Sequence, residues 1–434
     1  MKVRKCFSSI IKYFSIFMLC SALSYLNRLF VDVGMLITPE SMRQHQKSVE
    51  KYYESRKDWM TSNLGAYMFK YSNAHPPSYE VVNHPERGYF TVLIWKQWPS
   101  LKERHVGGFG KHSVHPLFGC SVTNCKFFED DDTLLSSTDA VVVHLHKGEL
   151  PDSTKRRPYQ RWIFWTDESP VNIYAGVPLR NKPSYSRLAN MFNWSMSYRS
   201  DSDVPVPYGR TLPLLYPKLN DVTDEELKEL VPNWERKQTD VLAAIIMSHC
   251  VEFRTRFVMR LQRFLSVDMF GKCAPVKNHT NKCPGHFKED CPVIAEYLFY
   301  VVIENSKCRQ YISEKIFHHA YSKGAIPIIM GTPLEDCKKL LPPNSFIHMD
   351  NFASIKHLAR EIYTISDNIT KLLSYHAWRV NFEIVEEHGF LGTRSLALCR
   401  ICEALNYNSN ARKVYGVEDI MLYLNPAVCC VRNP

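Results

Sequence analysis

A group of polar side chains in the second half of the sequence has the types and spacing to bind a charged ligand. Three of them follow directly on the apolar run 298–303, and the others come within the next ten residues. Carboxylates, an amide, hydroxyls and an ammonium together can hold both the hydroxyls and the phosphates of a ligand. The set is Glu304, Asn305, Ser306, Tyr311, Glu314 and Lys315.

The elements around this group predict where it lies in a fold. The apolar run 298–303 reads as a buried strand, residues 313–324 carry apolar positions at helical spacing, and a second apolar run, 325–330, follows at once. Ser313 is placed to cap the helix and Gly324 to end it. Such a strand, helix and strand form the unit of a parallel sheet, whose ligands sit beyond the carboxyl ends of the strands. The start of the helix would favour an anion, so we expect a phosphate-bearing ligand there.

The sequence of this segment closely resembles the donor-binding signature of the α1,3-fucosyltransferases, glycosyltransferase family 10. The matching pattern is ENSxxxxYISEK, followed by GAIPIIMG and later by NSFIHMDNF. Gln310 stands where the family usually has Asp, and Ile303 where Phe is common. Upstream, RWIFWTDESPVN and FNWSMSYRSDSDVPVPYG resemble the first domain of the same family. The resemblance spans roughly residues 88–405, and two long motifs in order are far more specific than a lone glycine fingerprint.

The resemblance implies a donor, a reaction and a catalytic base. The donor is GDP-β-L-fucose, and transfer to an α-linkage inverts the anomeric centre, so one carboxylate must deprotonate the acceptor hydroxyl. Glu168, in the ESP motif, stands at the position of that base. The alternative from the residues alone is that Glu168 caps a turn before Pro170.

The leaving diphosphate needs fixed positive charge, and the resemblance places Arg254 at a phosphate-binding position. Lys315 would add a point charge, Tyr311 would donate its hydroxyl to phosphate, and Glu314 would accept from sugar hydroxyls. Taken alone, Glu314 and Lys315 are also compatible with an ordinary exposed first turn of a helix.

The sequence favours no resident metal or cofactor. Asp201 and Asp203 form a DxD pattern that can hold a divalent ion. They lie in the acceptor-side block, however, and enzymes of the expected architecture replace the metal with basic side chains and helix dipoles. We therefore expect these two carboxylates to order a loop, and a divalent metal to be at most a stimulator.

The amino terminus predicts a membrane anchor. Basic residues lead into a run of about twenty mostly apolar residues that ends near residue 28, close to the length of a membrane span. A cleaved signal peptide is the alternative, because small residues lie near the end of the run. With the family resemblance, the anchor predicts a single-pass type II Golgi membrane protein with a lumenal catalytic part. Residues 29–87 would form a stem, and its charged, helix-prone part 38–60 would hold the catalytic part away from the bilayer.

Short apolar strands predict two α/β domains. Runs at 91–95, 140–145 and 161–165 assign residues 88–215 to an acceptor-side Rossmann-like domain, and runs at 241–247 and 267–270 begin a donor-binding one over 239–398. The polar segment 216–238 would link them. Together with the resemblance, this predicts the α/β fold class called GT-B, two Rossmann-like domains facing across a cleft, with residues 399–434 as a tail tied back to the first domain.

The cysteines and sequons agree with an oxidising lumen. Fourteen cysteines are present, two of them in or beside the N-terminal apolar run, which leaves an even set of twelve. Cys399 and Cys402 could be half of a zinc site, but no second close pair accompanies them. The resemblance instead implies two bridges from this pair to Cys120 and Cys125, in either order. Three sequons predict glycosylation sites. These are Asn193, Asn278 and Asn368.

The net charge of +10 raises the question of nucleic acid. Basic residues are scattered among acids and no nucleic-acid module is recognised, so we exclude that partner. Three functions then remain open: fucose transfer to N-acetylglucosamine of an N-glycan core or antenna, fucose transfer to a peptide hydroxyl, and glycan binding by an inactive membrane protein. The presence of Glu168, Arg254 and Lys315 favours an enzyme, and the 198–209 block favours a glycan acceptor.

Overall fold

The computed structural model describes residues 38–56, 61–70, 88–96, 99, 102–106, 116–147, 149–220, 222–283 and 290–430. Its strands, β1 to β13 in chain order, are Phe90–Trp95, Cys125–Glu129, Ala140–His144, Arg161–Thr166, Trp194–Ser197, Val204–Pro205, Gly209–Pro213, Ala243–Ile246, Val267–Phe270, Phe299–Ile303, Ile326–Met330, Ile347–His348 and Phe382–Glu386. Its α-helices are Pro39–Glu54, Asn63–Lys70, Tyr185–Leu188, Asp224–Leu230, Glu252–Leu261, Lys277–Lys282, Leu334–Leu340, Ile355–Ser366, Ile369–Ser374, Ala397–Tyr407, Val417–Leu424 and Pro426–Cys429, and Lys102–Val106 and Lys315–Ala320 are π-helices.

The first sheet is parallel throughout, in the order β2-β1-β3-β4-β5-β6. Its central strands are apolar on both faces because helices cover both. Helix Ala397–Tyr407 packs on one face and helix Val417–Leu424 on the other. The chain beyond residue 396 is therefore a layer of the first domain, whereas the sequence suggested a tail that disulfides tie to it.

The second sheet is also parallel, in the order β12-β11-β10-β8-β9. Helices Glu252–Leu261 and Ile355–Ser366 bury their apolar faces on it. Gly324 ends the helical segment before β11 with a left-handed φ of 72°, and a Cβ there would lie 2.0 Å from the carbonyl oxygen of Pro232. The strand, helix and strand predicted over 298–330 are thus present, with a π-helix in the middle.

The two sheets are joined by more than a loose connection. Between β7 and β8 the predicted linker contains helix Asp224–Leu230. Leu227 of this helix and Val231 directly after it pack against Leu373 and Val380 of the second half. Strands β7 and β13 form a separate antiparallel ribbon. The architecture is therefore two parallel α/β units with a shared ribbon, as expected of the GT-B class.

The N-terminal helix differs from the stem that the sequence predicts. Helix Pro39–Glu54 is helical as expected, but it lies against the ribbon. The hydroxyl of the buried Tyr52 donates to the carbonyl oxygen of Thr211 at 2.6 Å, and a ring nitrogen of His45 is 2.9 Å from the carbonyl oxygen of Leu214. Because one face of this charged helix is buried, it is part of the catalytic body.

The predicted membrane anchor, residues 1–28, lies outside the described residues, as do 29–37 and 71–87 of the stem. Among the helices that the structure describes, none has the length and apolar character to cross a bilayer.

Five disulfides connect the described residues. They are Cys120–Cys399, Cys125–Cys402, Cys250–Cys273, Cys283–Cys291 and Cys308–Cys430. The first two are the bridges that the resemblance implied, and their order is now defined. Within the described part of the chain, Cys337 and Cys429 are free thiols.

One predicted glycosylation site is wrong. Asn193 is 3% exposed, its Nδ2 donates to the carbonyl oxygen of Lys413 at 2.8 Å, and its Oδ1 accepts from the backbone N–H of Trp162 at 2.9 Å. A glycan on Nδ2 would break this buried junction between β4 and the C-terminal layer. Asn278 and Asn368 are exposed and remain predicted sites.

Candidate active site

A cleft of about 840 Å³ lies at the carboxyl ends of the two sheets. We call its walls the first-sheet side and the second-sheet side. The segments that follow β4 and β10 bring predicted residues to opposite walls, as the rule for parallel sheets requires. The predicted residues that line the cleft are Glu168, Arg254, Asn305, Tyr311, Glu314 and Lys315.

Glu168, just beyond β4, is held by one of its two carboxylate oxygens. Oε1 accepts from the backbone N–H of Ser169 at 2.7 Å, the hydroxyl of Tyr311 at 2.7 Å and the amide of Asn305 at 3.1 Å. Among the described residues, none donates to Oε2. A carboxylate fixed in this way can offer its second oxygen to a ligand in the cleft as a proton acceptor.

Tyr311 and Asn305 make a contact that the sequence did not predict. Both come from the second-sheet side, where the sequence assigned them to the donor, yet both donate to a carboxylate of the first-sheet side. Burial, and next the charge of Glu168, raise the pKa of Tyr311 well above its ordinary value, so the hydroxyl keeps its proton and donates. The two side chains join the walls of the cleft at the candidate base.

Glu304 does not line the cleft. It is 1% exposed, and its carboxylate accepts from the backbone N–H of Ser313 at 2.9 Å and from Nζ of Lys315 at 3.1 Å. The carboxylate thus occupies the helix start where we expected a ligand anion. The Ser313 hydroxyl donates to it at 2.8 Å and accepts a long bond of 3.5 Å from the backbone N–H of Lys315. Ser306 is also buried, and its hydroxyl donates to Oδ1 of Asn305 at 3.0 Å. Glu304 and Ser306 therefore position neighbouring side chains. Their burial contradicts the prediction that they contact a ligand.

Two cations of the second-sheet side face the cleft. Burial would lower the pKa of Lys315, but the charges of Glu304 and Glu314 outweigh it and raise that pKa, so the ammonium stays charged. Arg254 donates from Nη2 to the carbonyl oxygen of His249 at 3.1 Å, and its buried Nε has no hydrogen-bond partner among the described residues. Burial lowers the pKa of Arg254, which is the cost of keeping a guanidinium here without a carboxylate bonded to it. An anionic ligand would remove that cost.

Glu314 is an acceptor and not an acid. Burial would raise its pKa, but the positive charge of Lys315 outweighs this and lowers it to about 2. His319, which also lines the cleft, is neutral because burial, and next the charge of His318, lower its pKa to about 3. Glu314 is therefore ionised at physiological pH, and the contact with sugar hydroxyls stays a prediction.

The sequence did not predict a buried network directly behind Glu168. Asp167 forms an ion pair with Arg104, its Oδ1 is 3.1 Å from Nε2 of His144, and its Oδ2 is 3.3 Å from Nε2 of both His105 and His388. Burial lowers the pKa of all three histidines well below the ordinary value, followed by the charge of Arg104 for His105 and His388. The rings are neutral, so Arg104 carries the counter-charge of Asp167.

Part of this network resembles a metal site in its spacing. One ligand atom each from His105, Asp167 and His388 lie within 4.8 Å of one another. Arg104, however, donates from Nε to Nε2 of His105 at 2.9 Å and pairs with Asp167. The Arg104 guanidinium therefore already binds two of the three groups that would hold the ion, His105 and Asp167.

The DxD pattern serves the first domain, as expected. Asp201 accepts from Nε of Arg199 at 2.8 Å, and Asp203 accepts from the backbone N–H of Ser195 at 2.9 Å and the hydroxyl of Tyr415 at 2.6 Å. Both carboxylates order the loop between β5 and β6.

Some residues of the Asp167 network could have been predicted from the sequence, and others could not. His144 ends β3 and Asp167 follows β4, so the rule that placed Glu168 applies to them as well. Arg104 and His388 lie in a π-helix and a loop, and no local pattern predicts that these segments meet. The loop 172–185 contributes Asn172 and Ala175 to the cleft, and most of the segment 106–119 lies outside the described residues.

Comparisons with known proteins agree on one family. The model of glycosyltransferase family 10 (fucosyltransferase), C-terminal part, matches residues 234–421, and the fucosyltransferase N-terminal model matches residues 88–209. Alpha-(1,3)-fucosyltransferase 7 of Rattus norvegicus is 30% identical over 73% of this chain and 75% of its own. Alpha-(1,3)-fucosyltransferase fut-1 of Caenorhabditis elegans is 28% identical over 86% and 79%. A crystal structure of an alpha1,3-fucosyltransferase with GDP-fucose has a TM-score of 0.44 and 13% identity over 76% of this chain and 95% of that one.

Proposed function

The chain belongs to the α1,3-fucosyltransferases of glycosyltransferase family 10, and we propose that it moves L-fucose from GDP-β-L-fucose to N-acetylglucosamine of a glycan with inversion. It is a glycosyltransferase, and its donor substrate in this proposal is GDP-fucose. The acceptor is an N-glycan core or antenna, and the enzyme acts in the Golgi lumen on a type II membrane anchor. The membrane anchor is proposed from the N-terminal apolar run, and the lumenal location from the disulfides.

In the proposed step, the acceptor hydroxyl oxygen bonds to the anomeric carbon of fucose as the bond from that carbon to the β-phosphate oxygen breaks. The hydroxyl proton goes to Oε2 of Glu168, and GDP leaves with the bonding electron pair. The bond breaks more easily when charge on the departing phosphate is stabilised. Arg254 supplies that charge from the second-sheet side, and Lys315 adds to it.

One observation carries this proposal, namely the way in which Glu168 is held. Three donors converge on Oε1, two of them from the opposite wall of the cleft. A glutamate that only caps a turn needs no more than the hydrogen bond from the backbone N–H of Ser169. The two further hydrogen bonds, from Asn305 and Tyr311 on the opposite wall, therefore favour a catalytic base. No step needs a metal, because the guanidinium of Arg254 and the ammonium of Lys315 supply the positive charge.

The test uses the full chain in detergent with radiolabelled GDP-fucose and a panel of acceptors that present core, LacNAc or LacdiNAc N-acetylglucosamine. Label should appear on one glycan class, survive EDTA and be lost in Glu168→Gln. An α-linked product from the β-linked donor, read by NMR, establishes inversion. Label on a peptide hydroxyl, or GDP binding without transfer to any acceptor, would favour the two alternative functions.

A further inference from the structure

A loop without a role in the proposed transfer step forms part of the first-sheet wall. Residues 388–392, which follow β13, we call the aromatic loop. Its Phe390 and Leu391 line the same cleft as Glu168 and are half-buried. Neither residue carries charge, and their position cannot be explained by contact with the phosphates of a donor.

The rings around Phe390 are aligned. The ring of Phe390 lies nearly parallel to those of Tyr208 and His388, with interplanar angles of 14° and 16° and centroid distances of 5.7 and 5.6 Å. Tyr208 and His388 stack on each other at 3.9 Å. The Arg104 guanidinium lies over the ring of Phe390, with Cζ 4.5 Å from the ring centroid, and this cation–π contact holds the ring in its orientation.

The backbone holds these rings in place at a cost. Gly389 has φ of 73°, and a Cβ there would lie 2.7 Å from the carbonyl oxygen of Arg104, so the loop packs closely on the π-helix. Leu391 has φ of 53°, a conformation that a bulky side chain rarely adopts. Such outliers cluster at ligand sites because the surrounding structure must keep them there.

The loop is close to the reacting atoms. Tyr208 contacts both Phe390 and, at 6.1 Å between centroids, Tyr311. The Tyr311 hydroxyl bonds Oε1 of Glu168, and the Tyr208 hydroxyl donates to the carbonyl oxygen of Asp167 at 2.8 Å. Two ring contacts and one hydrogen bond thus connect Phe390 with the base, on the wall opposite Arg254 and Lys315.

We infer that Phe390 and Leu391 form the platform for the acceptor sugar. A pyranose ring has an apolar face of C–H groups, and ligand sites meet such faces with aromatic and aliphatic side chains while few polar groups fix the orientation. On this platform the acceptor places its apolar face on the aromatic loop and its hydroxyl at Oε2 of Glu168. The inference rests on the proposed function and deepens it, since it assigns the residues that select the acceptor.

The experiment compares the full chain with Phe390→Ala, Phe390→Leu and Phe390→Tyr in steady-state kinetics. Phe390→Ala should raise the KM for the glycan acceptor about tenfold, while the KM for GDP-fucose stays within twofold. Phe390→Leu should raise the acceptor KM less, and Phe390→Tyr, which keeps the ring, should restore it. Phe264→Ala removes a partly exposed phenyl group outside the cleft and serves as the matched control.

A second measurement does not need turnover. Saturation-transfer NMR of an N-acetylglucosamine-terminated oligosaccharide, with GDP present, should show binding to the wild type and its loss in Phe390→Ala, while calorimetry shows that the variant still binds GDP. Glycan binding that depends on Phe390 without any transfer would support the platform and refute the proposed function. An unchanged acceptor KM or glycan signal in Phe390→Ala, or a rise confined to the KM for GDP-fucose, would overturn the platform.

Discussion

The two walls of the cleft are built in different ways. On the second-sheet side, the groups from Glu304 to Lys315 lie within twelve residues and bond mainly to one another. On the first-sheet side, Asp167 gathers Arg104, His144 and His388 from three distant segments into a buried network. The comparison suggests that the second-sheet side is a binding surface that tolerates change, whereas the first-sheet side combines catalysis with stability.

The largest effect should come from the base itself. Glu168→Gln keeps the shape of the side chain but cannot accept the acceptor proton, so kcat should fall about 10³-fold. GDP affinity, measured by calorimetry, should stay within twofold because Arg254 and Lys315, the proposed phosphate ligands, lie on the other wall. A fall of less than tenfold would mean that another group is the base.

Asp167→Asn tests whether the first-sheet side contributes strongly to the free energy of unfolding. The substitution leaves the Arg104 guanidinium buried without its counter-charge, and breaking a buried ion pair from one end costs about 3–5 kcal/mol. Urea denaturation should show that loss, while Glu229→Gln on the exposed surface should change the free energy of unfolding by less than about 0.5 kcal/mol. Equal stability of the two variants would remove the basis of the comparison.

Arg254→Lys should affect binding and spare stability. A lysine keeps the charge but loses the forked donor, so the Kd for GDP should rise about tenfold. Arg256→Lys, on the exposed face of the same helix, is the matched control and should leave the Kd unchanged. If both variants bind GDP like the wild type, Arg254 is not a phosphate ligand.

Tyr311→Phe tests the contact between the walls. The variant removes one hydrogen bond to a charged carboxylate, worth about 1.5 kcal/mol, so kcat should fall about tenfold with little change in the Kd for GDP. A raised Kd with unchanged kcat would return Tyr311 to the phosphate-binding role that the sequence suggested.

The smallest effect concerns pH, which should act with opposite sign on one buried histidine of each half, His144 and His318. Burial lowers the pKa of His144, whereas the Glu386 and Asp290 carboxylates outweigh burial and raise that of His318. The contribution of His144 is present above its unfolded pKa of about 6.5 and is lost as pH falls, and that of His318 is present below it and is lost as pH rises through the folded pKa.

Urea midpoints between pH 5 and 9 measure both contributions. His318→Asn should flatten the decline at alkaline pH and leave the decline at acid pH in place. A His318→Asn curve parallel to that of the wild type over the whole range would contradict the assignment of this ion pair.

The sequence predicted the features of the fold that depend on local sequence patterns. The strands at 91–95, 161–165 and 267–270 appear within a residue of their predicted bounds, and the segment 304–315 could be assigned from one strand, helix and strand. Long-range packing could not be predicted. Asn193 reads as a surface sequon, and its burial depends on the C-terminal layer that covers β4.

The N-terminal helix shows the same limit in another way. Its composition is that of a solvated stem, because most of its residues are exposed, and a few side chains such as Tyr52 dock it on the ribbon. The Asp167 network is hidden for the same reason, since His388 lies more than two hundred residues from the strand it supports.

The bridges Cys120–Cys399 and Cys125–Cys402 set an order of events during biosynthesis. The paired cysteines are separated by 279 and 277 residues, so Cys120 and Cys125 emerge from the ribosome long before the helix that pairs with them. That helix also supplies a covering layer of the sheet. The first domain is therefore synthesised first and completed last, and until then its cysteines are open to mispairing by thiol–disulfide exchange.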